Sequence, residues 1–570
     1  MKRVISVAVS LVFVAGALSG PAHSSWMPEG FNGPSSSGGN WFGIDDTHFG
    51  MKSSHVTSGT SNLAGGPDFI RCITFEGECS LAKSNSRFLD AQLQLGLCDS
   101  DGEVDCVRSL TIDGKSGNLE VLEGEYVPNH PESGLPEGKG PILLTLENSL
   151  YLLSLRVHYT YNRSGDYFQP QSMESFVIPA KRLAGEGYSG YKVTEPVVGS
   201  SRRIGETGQG NNCLWLTPGT CYQADLTGWT GGTRIGLELE LSKRWGAFFK
   251  GRLSDPFIDV KTTANSQIVN LSAAPSLTHK VFFPFDPGAL TEAQKKAFCF
   301  GSSWCELPQP GVGGLSTHRS DSERSMAMIQ AFTANHKDTS AAEVLEWSFG
   351  VAQEGKNQCF AKSKGLTGLV TSNAPAYQAG PPTLSNGYLG YKVAGLHYQS
   401  DGKTLNLGTY NLQLRSDVAR CLYGFTSAPV YASVQVLSDD GKVVPAVTTV
   451  TEKDGWIRLS ASGFTFSEKQ VRTALTQPLA LTIPKFPGRT TFINGAHQQQ
   501  IRGFVARSKS NSKFICTGTY VKPADKTLAL QRARAACNYA KTLNKNFSFF
   551  AQAKITKAAS YDGRVMVTSK

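Results

Sequence analysis

Residues spaced for catalysis are scarce in this chain. Ser510-Asn-Ser-Lys513 has the Ser-x-x-Lys spacing in which a lysine takes the proton of a nucleophilic serine. The Ser-Asp-Asn and Lys-Thr-Gly segments that complete such an acyl-transfer site are missing. No Gly-x-Ser-x-Gly, His-Glu-x-x-His, Walker loop or Gly-x-Gly-x-x-Gly helix start occurs. The ten histidines are scattered without ligand spacing, and no Cys-x-x-Cys pair points to zinc or redox chemistry. Asp99-Ser-Asp-Gly-Glu-Val-Asp105 is acidic like a calcium loop, but its glycine is fourth where an EF-hand has it sixth, so it reads as a polar hairpin tip. Trp41, Trp215, Trp229, Trp245 and Trp304 could line a sugar platform, although core and turn packing is the commoner use of such residues. Carboxylate pairs for glycoside hydrolysis meet in space and leave no spacing to read. The sequence thus nominates no catalytic residue, no metal site and no cofactor.

What remains is binding, and the stretch that points to a partner is Asp525-Lys-Thr-Leu-Ala-Leu-Gln-Arg-Ala-Arg-Ala-Ala-Cys-Asn-Tyr539, free of Pro and Gly to about Leu543 and rich in strong helix formers. Pro523 suits a first turn and Asp525 a cap. Ala533, Ala536, Cys537, Ala540 and Leu543 form one narrow apolar face, small enough for close approach to a sheet. Arg489–Ile493, Lys513–Tyr520, Phe547–Ile555 and Arg564–Thr568 read as its strands, the last two joined across the turn Tyr561-Asp-Gly563. His497, Ile501, Phe504 and Val505 mark a second helix. The predicted order is β-α-β-α-β-β.

This stretch resembles the OmpA-like domain, best known as a peptidoglycan-binding module, whose pattern is Asn-x-x-Leu-Ser-x-x-Arg-Ala followed by a Tyr-Leu pair. Asp525, Leu528, Ala529, Arg532, Ala533 and Tyr539-Ala540 stand at those positions, and Gly563-Arg564-Val565 stands where the family closes on Arg-Arg-Val. The resemblance covers roughly the last 80 residues. It implies a cell-wall contact through Arg532, with Asp525 and Arg564 nearby. The family holds the diaminopimelate of the peptide stem between that Arg and an Asp fifteen residues earlier, a position that is Thr517 here. The implied partner is therefore peptidoglycan or, more broadly, an anionic wall polymer.

Charge singles out the same region. Residues 481–570 hold sixteen Lys and Arg against two acids, Asp525 and Asp562, whereas the rest carries 40 basic and 44 acidic residues. Such a domain is drawn to polyanions in a salt-dependent way. Nucleic acid fits that charge but not the export signal. Met-Lys-Arg followed by an apolar run from Val4 to about Leu18, with Ala22-His-Ser24 as a cleavage site, reads as a secretory signal peptide over 1–24. No later stretch is apolar for long enough to cross a membrane, so a secreted, extracellular or wall-associated protein is expected. Twelve cysteines fit six bridges: Cys72/Cys79, Cys98/Cys106, Cys213/Cys221, Cys299/Cys305, Cys359/Cys421 and Cys516/Cys537.

The elements that must carry this domain read as mainly β. With 59 glycines, short β runs and frequent turn signals, the chain divides into an N-terminal β domain (25–199), a second β-sandwich (200–348) with a helical insert (287–347), an immunoglobulin-like sandwich (349–480) and the α/β domain (481–570). Residues 26 to about 60 read as an irregular arm, and Ile483–Gly488 as a linker. Gly187–Val193 echoes Gly387–Val393, a sign of duplication. The region from Gly387 to Thr451, with Val418-Ala-Arg-Cys-Leu-Tyr-Gly-Phe425, is similar to uncharacterised exported proteins of actinobacteria. The expectation is a non-enzymatic envelope protein held non-covalently at the wall, with protein partners open to its β modules. A secreted polysaccharide- or wall-acting hydrolase and a surface adhesin or assembly subunit are the alternatives.

Overall fold

The computed structural model describes residues 40–44, 51, 53–59, 70–82, 88–184, 213–300, 314–333, 338–352, 357–423, 431–437, 443–466, 469–476, 480–506, 508, 513–556 and 562–569, apart from 101, 226–227, 231, 246–247, 362, 364 and 386. The signal-peptide reading, Gly187–Val193, Trp304, Cys305 and Ser510 lie outside them, as does the side chain of Trp41.

The fold is mainly β. Among the described residues, a continuous network of 21 hydrogen-bonded strands runs from Asn40–Ile44 to Trp456–Thr465, beside a six-stranded and a four-stranded sheet. Ile235–Ser242 shows why the strands form. Ile235, Leu237, Leu239 and Leu241 alternate into the core with Val269, Trp347 and Phe349, which buries one face of the pleat. The long hairpin Ser149–Asn162/Tyr167–Ala184 adds Val157, Tyr159 and Met173 to that core.

Hydrogen-bonded strands run across the expected boundaries near 200 and 349. Tyr167–Ala184 pairs with Ala342–Ala352. Phe248–Thr262 pairs antiparallel with both Ser266–Phe285 and Ala342–Ala352, and parallel with Gly368–Ser372. The predicted arm is also in the sheets. Asn40–Ile44 is antiparallel to 281–285 and parallel to Gly314–His318, and His55–Gly59 pairs with Phe88–Gln94. The reason is Phe42, which is fully buried against Phe283, Phe298 and Phe332. The helices expected in the insert are there, at Glu292–Cys299 and Glu323–Thr333, the first with a Thr291/Gln294 capping box. The insert closes earlier than expected, because Ala342–Ala352 is a strand.

Between 368 and 476 two sheets face each other across Tyr391, Tyr410, Val434, Leu459 and Phe464, a sandwich-like arrangement. Ser416–Tyr423, read as part of a β block, is a helix tied by Cys421 to Cys359. Five of the expected disulfides are present: Cys72–Cys79, Cys98–Cys106, Cys213–Cys221, Cys359–Cys421 and Cys516–Cys537. Cys299 is disulfide-bonded too.

The last segment has the element order β-α-β-α-β-β. Its members are Ala480–Ile483, Gly495–Ala506, Lys513–Tyr520, Lys526–Leu543, Ser548–Ile555 and Val565–Ser569. The sheet order places Val565–Ser569 between Ala480–Ile483 and Lys513–Tyr520, which runs parallel to Ser548–Ile555 at the edge. The first strand is not Arg489–Ile493 as expected, and the predicted linker Ile483–Gly488 lies inside the domain. Pro484, Pro487 and Gly488 interrupt the chain there, and carbonyls in the loop are taken by a side chain instead of a ladder.

Candidate functional site

Both helices of the terminal domain pack on one face of its sheet. Ala533, Ala536, Cys537 and Ala540 are buried against Phe514, Cys516, Val565 and Val567, while Leu543 is exposed. Small residues let the helix come close. A Cβ on Gly518 would lie 1.9 Å from the Ala529 carbonyl oxygen, so only glycine fits the strand there. The Cys516–Cys537 bridge ties the same helix to the same strand.

Arg532 lies on this helix but points inward, 5 % exposed. Its Nε donates to the Thr490 carbonyl at 2.9 Å and one terminal nitrogen donates to the Gly488 carbonyl at 2.5 Å. The guanidinium also lies over the Phe486 ring, 5.3 Å from its centroid. Burial pushes its pKa below the usual arginine value, against the pull of Asp562 and Asp525. The residue acts as a clamp on the 486–490 loop.

The other three predicted residues divide. Asp525 stands at the N-cap position of its helix, as expected, but its side chain makes no capping hydrogen bond; its carboxylate pairs with Arg489 at 3.1 Å. Thr517 is not brought to Arg532. It follows Cys516 and precedes Gly518, which both face the helix, so alternation turns it to the opposite face, where its hydroxyl accepts from Gln552 Nε2 at 3.0 Å. Arg564 is half-buried at the start of the last strand, and its carbonyl accepts from the Thr519 amide and hydroxyl.

Asp562, read as a turn residue and one of the two acids but not as a site residue, belongs to the Arg532 end. It accepts from the Val521 amide at 3.1 Å and lies 3.7 Å from Lys485, and the next residue, Gly563, abuts the Arg532 guanidinium. Both acids of a strongly basic domain thus converge on one end of the sheet. Their scarcity in the sequence was the available signal.

Two further groups bear on chemistry. The acidic stretch 99–105, expected as a hairpin tip, joins strands that do not pair with each other; its Asp105 is 2 % exposed and accepts from Tyr159 Oη at 2.8 Å, the Ser242 amide at 2.7 Å and Trp245 Nε1 at 2.9 Å. Burial raises its pKa. Trp215 and Trp229 are also buried, so these tryptophans form no exposed platform. Elsewhere Lys250, Asp321, Arg319, Glu174 and Arg156 make a chain of ion pairs joining three parts of the sequence. Burial pushes the Glu174 carboxyl up, but Arg156 and Arg319 outweigh it and hold it below its usual value; Lys250 and Arg319 do the same for Asp321.

A cavity of about 570 Å³ opens beside the helix Ser416–Tyr423, lined by Arg415, Arg420, Asp417, Asp454 and Trp456 among others. Asp417 there is held by Arg415, through Nε at 3.0 Å and a terminal nitrogen at 2.6 Å, and Arg420 is paired with Glu452. No group of three or more potential metal ligands occurs among the described residues, and no described helix is long and apolar enough to cross a membrane. In comparisons with known proteins, no family model and no curated sequence matches the chain.

Proposed function

We propose that this is an exported, non-enzymatic protein of a cell envelope, retained at an anionic wall polymer by its basic C-terminal OmpA-like domain while the β region extends away from it. The observation that carries the reading is charge segregation: sixteen basic residues against two acids in 481–570, and a slight acidic excess elsewhere. Both acids are paired at one end of the domain, with Arg489 and Lys485, and sixteen bases against two acids leave a net charge of +14 on it. The β-α-β-α-β-β order and the disulfides agree with it. Because Arg532 is committed to its own loop, retention here is electrostatic and does not depend on that guanidinium reaching a peptide stem.

The test is co-sedimentation of the full chain with purified cell-wall sacculi at low and high salt. Binding at low salt that falls steeply with ionic strength is the expected result. Absence of binding at low salt refutes retention through this domain. A second reading, an adhesin or assembly subunit, is favoured by the strand Val447–Lys453. Among the described residues it pairs only with Trp456–Thr465, and it leaves Val447 68 % exposed.

A further inference from the structure

Among the described residues, the sheet of the terminal domain has helices on one face only. Alternation fixes what the other face carries: Lys513, Ile515 and Thr517 from one strand, Phe550, Gln552 and Lys554 from the edge strand beside it, and Met566 and Thr568 from the third. Phe550, on the edge strand beside Ile515, is 62 % exposed, and Lys513, Gln552 and Lys554 are exposed around it. The two acids of the domain are paired at the Arg532 end.

We propose that this open face is a binding site for an anionic polysaccharide, a reading that rests on the envelope function above and gives it a contact surface. An exposed aromatic ring offers a flat apolar surface to the C–H face of a sugar ring. Lys513 and Lys554 flank it about 20 Å apart along the strands, the span of a short oligosaccharide, and supply cations for carboxylate or phosphate groups. Gln552, Thr517 and Thr568 present amide and hydroxyl groups suited to sugar hydroxyls. A single exposed ring among short polar side chains fits a glycan better than a nucleic acid strand, whose platforms stack several bases in succession. The disulfides agree with an oxidising compartment and so with an extracellular ligand.

The test measures binding of the full chain to polygalacturonate, to neutral dextran and to a thymidine oligonucleotide, with Phe550→Ala and the double variant Lys513→Gln/Lys554→Gln. Phe550→Ala leaves the charge unchanged, and thermal unfolding checks that it stays folded. The expected result is binding to polygalacturonate, none to dextran, and a loss of about tenfold or more in each variant. Wild-type affinity in a folded Phe550→Ala overturns the sheet-face site. If that variant and the wild type sediment equally with sacculi, charge retention stands without it. An oligonucleotide that binds more tightly than polygalacturonate, and loses affinity with Phe550→Ala, reassigns the face to nucleic acid and overturns the proposal. If the wild type binds neither sacculi nor polygalacturonate, both readings fall.

Discussion

Replacing Arg532 by alanine separates a clamp from a ligand-binding residue. The side chain makes two hydrogen bonds from a charged donor to loop carbonyls and one cation–π contact. Charged hydrogen bonds contribute about 1.5–3 kcal/mol each and a partly desolvated cation–π contact about 1 kcal/mol. Gly488 and Thr490 are exposed, so water replaces the lost donors and the low end applies. The expected destabilisation is about 4 kcal/mol, a fall of roughly 15 °C or more in the melting of a domain this size. The assay is thermal unfolding of the full chain, set beside sacculus sedimentation well below the transition. The clamp predicts lower melting with little change in binding beyond one lost charge. Unchanged melting with abolished binding would refute the reasoning and give Arg532 the role that the family resemblance implies.

Asp105→Ala leaves a phenol, an indole and a backbone amide without their shared acceptor, so urea unfolding followed by tryptophan fluorescence should show a loss of about 3 kcal/mol at roughly 1 kcal/mol per donor. Its raised pKa has a separate consequence: the native state holds the proton more tightly, so this group's contribution falls as pH rises above 3.8, and Asp105→Asn removes that dependence. Glu174 and Asp321 act in the opposite sense. Their depressed pKa values give stability that is complete above 4.5 and 3.8 and is lost as pH falls through their native values, so an acid titration by near-ultraviolet circular dichroism should lose this component in Glu174→Gln. Gly518→Ala drives a methyl group into the Ala529 carbonyl and should lower the melting of the terminal domain by several degrees or prevent its folding, read by the same thermal scan.

The helices and strands of the terminal domain were legible because their periodicities are strong and uninterrupted. Lys526–Leu543 begins one residue from its predicted start, and Lys513–Tyr520 is a strand with the expected bounds. The first strand was missed because Ala480–Ile483 is four residues long and continues the β pattern before it, while Arg489–Ile493 is β-branched yet bound to Arg532. The disulfides followed from spacing, since most close short loops. Partnership across the β region was not legible. Periodicity tells which face of Phe248–Thr262 is buried, but no local signal announces that its partners are 342–352 and 368–372. Thr517 failed for a related reason: counting fifteen residues back from Arg532 ignores which face of the strand each residue occupies.

The strand Asn40–Ile44 sets an order of events in time. It is held by 281–285 and by Gly314–His318, more than 230 residues further along. Any machine that delivers the chain N-terminus first must therefore release several hundred residues before Asn40–Ile44 has these partners. Until then Phe42 and the edges of the early strands are open to other chains. Contacts of such long range slow folding, so a holding chaperone on the delivery side would govern yield more than the stability of the finished fold.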